Sequence, residues 1–101
     1  MAIDLFCYSS QSLQETQEVI DLLVQKHQGL FVERFLISPI REAGSFNKET
    51  ALEYGLHAHC MFLVRVNDKS ATDLLPTVEL LIKSALGAGN VIILFENETL
   101  R

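Results

Sequence analysis

Residues 57–66 read HAHCMFLVRV and residues 91–95 read VIILF. In both stretches the apolar residues follow one another almost without interruption; Arg65 is the one charge inside the core CMFLVRV. A strand with one wet face alternates apolar and polar, because successive side chains point to opposite faces. An unbroken apolar run therefore predicts a strand covered on both faces, the pattern of interior strands in an α/β sheet. Turn chemistry bounds both runs: Asn67-Asp68-Lys69-Ser70 follows the first, and Gly87-Ala88-Gly89 precedes the second.

Working outward, residues 3–8 (IDLFCY) make a third apolar run, closed by the turn SSQS. Ser12 and Glu15 then have the spacing of a capping box, in which hydroxyl and carboxylate each satisfy a backbone amide at a helix start. Thr16, Val19, Ile20, Leu23, Val24 and His27 fall at helical spacing. Helix one is predicted over residues 12–28, with Gly29 as its stop. Residues 31–38 (FVERFLIS) read as the second strand, ended by Pro39, and residues 40–46 as a loop. Asn47 is positioned to cap a short helix over residues 48–54, stopped by Gly55. Pro76 lacks an amide hydrogen and is tolerated only in a first turn. The last helix is therefore expected to begin near Asp73, after a preliminary turn at residues 70–72. Its inward stripe would be Leu74, Val78, Leu81, Ile82 and Ala85. Residues 96–101 read as a polar tail.

The order is β-α-β-α-β-α-β. Strands alternating with helices favour parallel pairing through right-handed crossovers. The expectation is an α/β domain with a four-stranded, mainly parallel sheet and helices on both faces. The alternative is a ferredoxin-like α+β sheet, in which residues 39–56 form a long hairpin insert. A length of 101 residues fits one domain, 1–101, and 49% hydrophobic residues supply its core. With 8 Lys+Arg against 13 Asp+Glu, the net charge of −5 disfavours direct binding to nucleic acid and suits a basic partner. The start MAIDLF lacks the basic and long apolar regions of a secretion signal, and no run reaches the ~18 apolar residues of a membrane span. A cytoplasmic protein with reduced, buried Cys7 and Cys60 is expected, with no membrane contact.

Little local chemistry points to catalysis. His57 and His59 share a strand face, but Cys60 points away and no further ligand is near in sequence, so no metal is expected. Cys7 lies inside a strand with no basic neighbour, which suits a structural thiol better than a nucleophile. The loop YSSQS at residues 8–12 has three hydroxyls at a helix start, but neither the glycines nor the lysine of a phosphate loop. A small anion-binding protein or enzyme using the Tyr8 to Ser12 loop is the alternative function. Homo-oligomeric pairing through an edge strand is a third reading. In a parallel sheet the loops after each strand gather at one edge, where open α/β sheets bind ligands. That would collect Glu42, Asp68, Asp73, Glu96 and Glu98 into an acidic rim, with Tyr8, Phe46 or Tyr54 as aromatic anchors.

Several blocks also resemble the small immunity proteins of bacterial contact-dependent growth inhibition systems. They are MAIDLFCY at the start, FLISPIR at 35–41, KETALEYGL at 48–56, FLVRVNDKSATDLLP at 62–76 and GNVIILFENE at 89–98. The resemblance implies a non-enzymatic protein without cofactor. Such a protein binds, in the cytosol, the C-terminal toxin domain of a large adhesin, commonly a nuclease acting on tRNA. It would do so as a 1:1 heterodimer, blocking the active site or the substrate path. The resemblance assigns no contact residues; the toxin-binding set Glu42, Asp68, Asp73, Glu96, Glu98 and Tyr8 comes from the expected rim.

Overall fold

In the computed structural model, residues 4–31, 34–67, 69–96 and 99–100 are described. The chain runs β1 (Asp4–Ser9), α1 (Leu13–Lys26), a one-turn α2 (Gln28–Phe31), β2 (Phe35–Ile37) and β3 (Arg41–Glu42). It continues through α3 (Ser45–Glu53), β4 (Cys60–Val66), a 3-10 turn (Lys69–Leu74), α4 (Leu75–Leu86), β5 (Val91–Phe95) and β6 (Thr99–Leu100).

The sheet order is β2-β4-β1-β5-β6, with β3 also on β4, and every pairing is antiparallel. This overturns the four-stranded, mainly parallel sheet. The sequence pattern is compatible with both arrangements for a specific reason. β1 and β2 do run in the same direction across α1, but β4 lies between them. β4 and β5 likewise run together across α4, with β1 between them. Each β-α-β unit skips one strand, so its two strands never touch. The unbroken apolar runs report coverage of both faces, and coverage does not encode direction.

One face carries Leu5 and Cys7 of β1, Phe62, Val64 and Val66 of β4, and Val91 and Ile93 of β5. Ile20 and Leu23 of α1 and Leu75, Val78, Ile82 and Leu86 of α4 pack onto it. Each such aliphatic side chain taken out of water contributes about 1.5–3 kcal/mol. A smaller cluster on the other face joins Tyr8, Met61 and Leu94 to Ala51 of α3 and to Ala43, Leu56 and Ala58. α3 thus covers only part of that face.

Local chemistry explains the element ends. Ser12 is the N-cap of α1, its Oγ accepting from the Glu15 amide at 3.1 Å while donating to the Glu15 carboxylate at 3.0 Å. α1 stops at His27, and Gly29 lies inside α2 instead of acting as the stop. The expected strand 31–38 shortens to Phe35–Ile37 because Phe31 ends that helical turn, its amide bonding to His27 O. Gly44, without a side chain, caps α3 in place of Asn47, and Gly55 leaves it with φ +85°. Pro76 sits in the first turn of α4, after a 3-10 turn longer than expected. Within the expected inward stripe of α4, Ala85 is exposed and Leu75 and Leu86 take the buried positions. The polar tail holds a strand, β6, which pairs with β5.

The edge formed by β2 and β3 is one strand interrupted by a bulge. The Ser38 amide donates to Leu63 O at 2.9 Å, and the Leu63 amide donates to Ser38 Oγ at 2.8 Å. Arg41 stands opposite Met61. Two residues, Pro39 and Ile40, therefore oppose the single Phe62, the signature of a β-bulge. Proline is tolerated there because an edge bulge needs no ladder donor. The bulge also turns Ile40 into the main core.

Candidate functional site

In an antiparallel sheet the loops leave alternate ends, so the acidic residues do not form the single rim expected of a parallel one. Ser9, Cys60 and Val91 pair at the end where β1 finishes, and Glu42 stands opposite Cys60 there. β4 and β5 both finish at the other end, beside Asp4 and Leu5. Glu96 follows β5 directly and donates its amide to Asp4 O at 2.9 Å, and Asp73 lies in the 3-10 turn after β4. Asp68 and Glu98 lie outside the described residues. Tyr8 is fully buried between the sheet and the α3 side, so it is a core residue and not an exposed anchor. Phe46, in contrast, is 73% exposed at the start of α3, and Tyr54 is half-buried.

The loop after β1 is occupied by its own structure. Ser9 is fully buried and its Oγ lies 2.9 Å from Thr16 Oγ1, while the Gln11 amide donates to the same Ser9 oxygen. The Ser10 amide donates to Asn90 O at 2.9 Å, and Ser12 caps α1. Cys60 Sγ donates toward Thr16 Oγ1 at 3.3 Å and Gln11 O at 3.5 Å. These bonds tie the start of α1 to β1, β4 and the β5 entry, and they employ the hydroxyls that an anion would need.

Cys7 and Cys60 are free, buried thiols. Burial, reinforced by the Glu79 carboxylate, pushes the Cys7 thiol far above its ordinary range. A thiol held protonated and fully enclosed cannot serve as a nucleophile. Among the described residues no group of three or more His, Cys, Asp or Glu is placed to hold a metal ion. His57 and His59 instead flank a shallow surface hollow of about 300 Å³ with Leu52 and Lys48. No helix among the described residues is long and apolar enough to cross a membrane.

What sequence reasoning missed is the uncovered half of the second sheet face. Beyond α3 the register sets out one row, Leu63, Phe6, Leu94 and Leu100, and beside it a second row, Leu36, Arg65 and Asp4. Phe6 and Leu63 are partly exposed, Leu94, between them and Leu100, is buried, Leu36 is 45% exposed and Leu100 54%. Arg65 Nε donates to Asp4 Oδ1 at 2.9 Å and Nη2 to Oδ2 at 3.2 Å, a bidentate pair on adjacent strands. The Asp4 carboxylate, by hydrogen bond first and charge second, raises the Arg65 pKa above its ordinary value. Such a row is invisible in sequence, because alternation in one strand does not say what lies opposite it.

Comparisons with known proteins agree with this fold. The family described as CDI System Immunity Component matches residues 1–99. Immunity protein CdiI-2 of Burkholderia pseudomallei (strain 1026b) is 42% identical over 98 residues, covering 97% of each chain. A chain of the CdiA-CT/CdiI toxin and immunity complex from Burkholderia pseudomallei superposes with a TM-score of 0.94 at 40% identity. That match covers 97% of this chain and 95% of the other. A match over nearly the whole length, in sequence and in fold together, places this chain in the family of immunity components of contact-dependent growth inhibition (CDI) systems.

Proposed function

We propose that this immunity protein acts in the cytoplasm by binding a cognate toxin domain, the C-terminal part of a contact-dependent growth inhibition adhesin, in a 1:1 complex. The observation that carries the reading is the near full-length correspondence, at 40% identity, with a chain of a toxin and immunity complex. We take the toxin to be a basic nuclease, with tRNA as its substrate, and the complex to block its active site or substrate path. The charge of −5 supports this, since a nuclease must present positive charge to phosphates. The protein acts as a stoichiometric binder and catalyses nothing itself. The buried Cys7 and the internally bonded Tyr8 to Ser12 loop favour binding over the alternative of a small enzyme or anion-binding protein.

Co-expression tests the reading. A toxin domain encoded beside this chain should kill cells alone and spare them when this chain is present. In vitro, its cleavage of tRNA should stop at one equivalent of immunity protein. A toxin that leaves tRNA and other nucleic acids intact yet still kills would remove the nuclease reading and keep the neutralising one. Among acidic residues we assign the toxin contacts to Asp68, Asp73, Glu96 and Glu98, with Glu42 as a separate contact at the opposite end. Charge reversal at Asp68 and Glu98 should weaken binding more than reversal at Glu15 and Glu18, which are exposed on α1. Equal effects would place the toxin elsewhere.

A further inference from the structure

We infer that the uncovered half of the second sheet face is the surface on which the toxin domain docks. The inference rests on the proposed neutralising function and adds to it a face, a geometry and a partner chemistry. The first sheet face is closed by α1 and α4, and α3 closes only the end of the second face around Tyr8 and Met61. What remains is a strip over β2, β4 and β1, where Leu36, Leu63 and Phe6 are at least partly exposed; beyond it Leu94 of β5 is buried and Leu100 of β6 is exposed again. Strands spaced about 4.8 Å apart put the edge strands β2 and β6 about 20 Å apart, the scale of the core of a standard interface with about 800 Å² on each partner.

The strip has the composition of such a core. Phe6 and Leu63 are half-buried at its centre, with Leu36 and Leu100 exposed at the two edges of the sheet. Beside Leu63 lies a depression of about 230 Å³ lined by Leu36, Ile37, Ser38, Leu63 and Arg65. The Arg65 guanidinium is held by both oxygens of Asp4. A guanidinium fixed in this way is a platform on which an aromatic side chain can stack. The depression therefore fits an apolar or aromatic anchor of the partner, the residue type that dominates interface energetics.

Charge around the strip is mixed. Asp4 and Arg65 neutralise one another, so the field at this end of the sheet is set by the groups around them. Glu96, exposed beside Asp4, and Asp73 are acidic, and the cations among the described residues there are Arg34, just before β2, and Lys69, in the same 3-10 turn as Asp73. The partner that fits is a toxin surface that brings an apolar or aromatic anchor to the depression, and the net charge of −5 on the whole chain favours a cationic surface around that anchor.

The test uses the full chain and the purified cognate toxin domain, with affinity read by calorimetry and protection read in cells. Leu36→Lys with Leu100→Lys places two cations on the sheet face. Leu22→Lys with Leu80→Lys makes the same charge change on the helical face, at leucines 65% and 66% exposed. The first pair should lose at least 100-fold in affinity and the second less than threefold. Equal losses, or a loss confined to the helical pair, overturn the docking face and leave the neutralising function standing. A wild-type protein that does not bind the toxin ends both. Hydrogen exchange on the unmodified complex gives an answer independent of folding. Protection should appear at the edge strands β2 and β6, and protection confined to α1 and α4 overturns the inference.

Discussion

Cys7 shows how one buried titratable group links packing to pH. Enclosure raises its pKa, so the folded protein holds the thiol proton while the unfolded chain releases it in the ordinary range, about pH 8.5. Its contribution to stability is therefore complete below that pH and is lost as pH rises, because deprotonation favours the unfolded state. Denaturant titrations from pH 7 to 10 should show wild type losing stability relative to Cys7→Ala above about pH 8.5, by up to about 1.4 kcal/mol per pH unit. A constant offset between the two, with no slope, would contradict the assignment. Gly87 is constrained differently. Its φ is +96°, and a Cβ built there would lie 2.8 Å from Asn90 Nδ2, which donates to Leu86 O. Gly87→Ala should cost about 1–3 kcal/mol through backbone strain, measurable as a lower urea midpoint with an unchanged slope. The Ser12 cap of α1 should be worth about 1 kcal/mol, read as the stability lost in Ser12→Ala.

Among the elements, the broken edge strand has the most specific mechanism. The Ser38 side chain takes the ladder position that its carbonyl would otherwise fill, accepting from the Leu63 amide. Ser38→Ala leaves that part-buried donor without its acceptor and should cost about 1–3 kcal/mol. It should also speed hydrogen exchange at Leu63 more than at Val64 or Val66; unchanged exchange at Leu63 would mean that another group satisfies it. The bulge disfavours lengthening of this edge by a further strand, since Pro39 offers no donor and the strand is interrupted after three residues. α3 is held less firmly than α1. Its cap lacks a side-chain bond and Ala51 is its single fully buried residue, so it shields the sheet with small contacts. Within α3 the helix and its Gly55 stop were legible in sequence; Gly44 as the cap was not, because glycine caps through backbone conformation alone.

At the scale of the molecule, an accessible surface of 5794 Å² means that a standard interface of about 800 Å² would engage roughly one-seventh of it. With a net charge of −5, association with the proposed cationic toxin should be steered by long-range attraction. Raising salt from 50 to 500 mM should slow association at least tenfold and change dissociation less than threefold. A salt effect mainly on dissociation would indicate that buried ion pairs, not steering, dominate. The acidic residues matter here through position. Glu96 and Asp73 share an end because β4 and β5 run the same way, while Glu42 is sent to the other end by the antiparallel β3.

Sequence alone determined the elements whose signals are local. The Ser12 cap, the interior strand Cys60–Val66, the strand Val91–Phe95 and the glycine stop at Gly55 each follow from neighbouring residues and backbone preference. The family resemblance was likewise carried by ordered blocks of sequence. Tertiary structure decided strand direction, the burial of Tyr8, the separation of Glu42 from Glu96 and the exposure of Leu36 and Leu100 on one sheet face. These depend on which strand inserts between two others. That choice is made by side chains far apart in the chain burying one another, and no local preference records it.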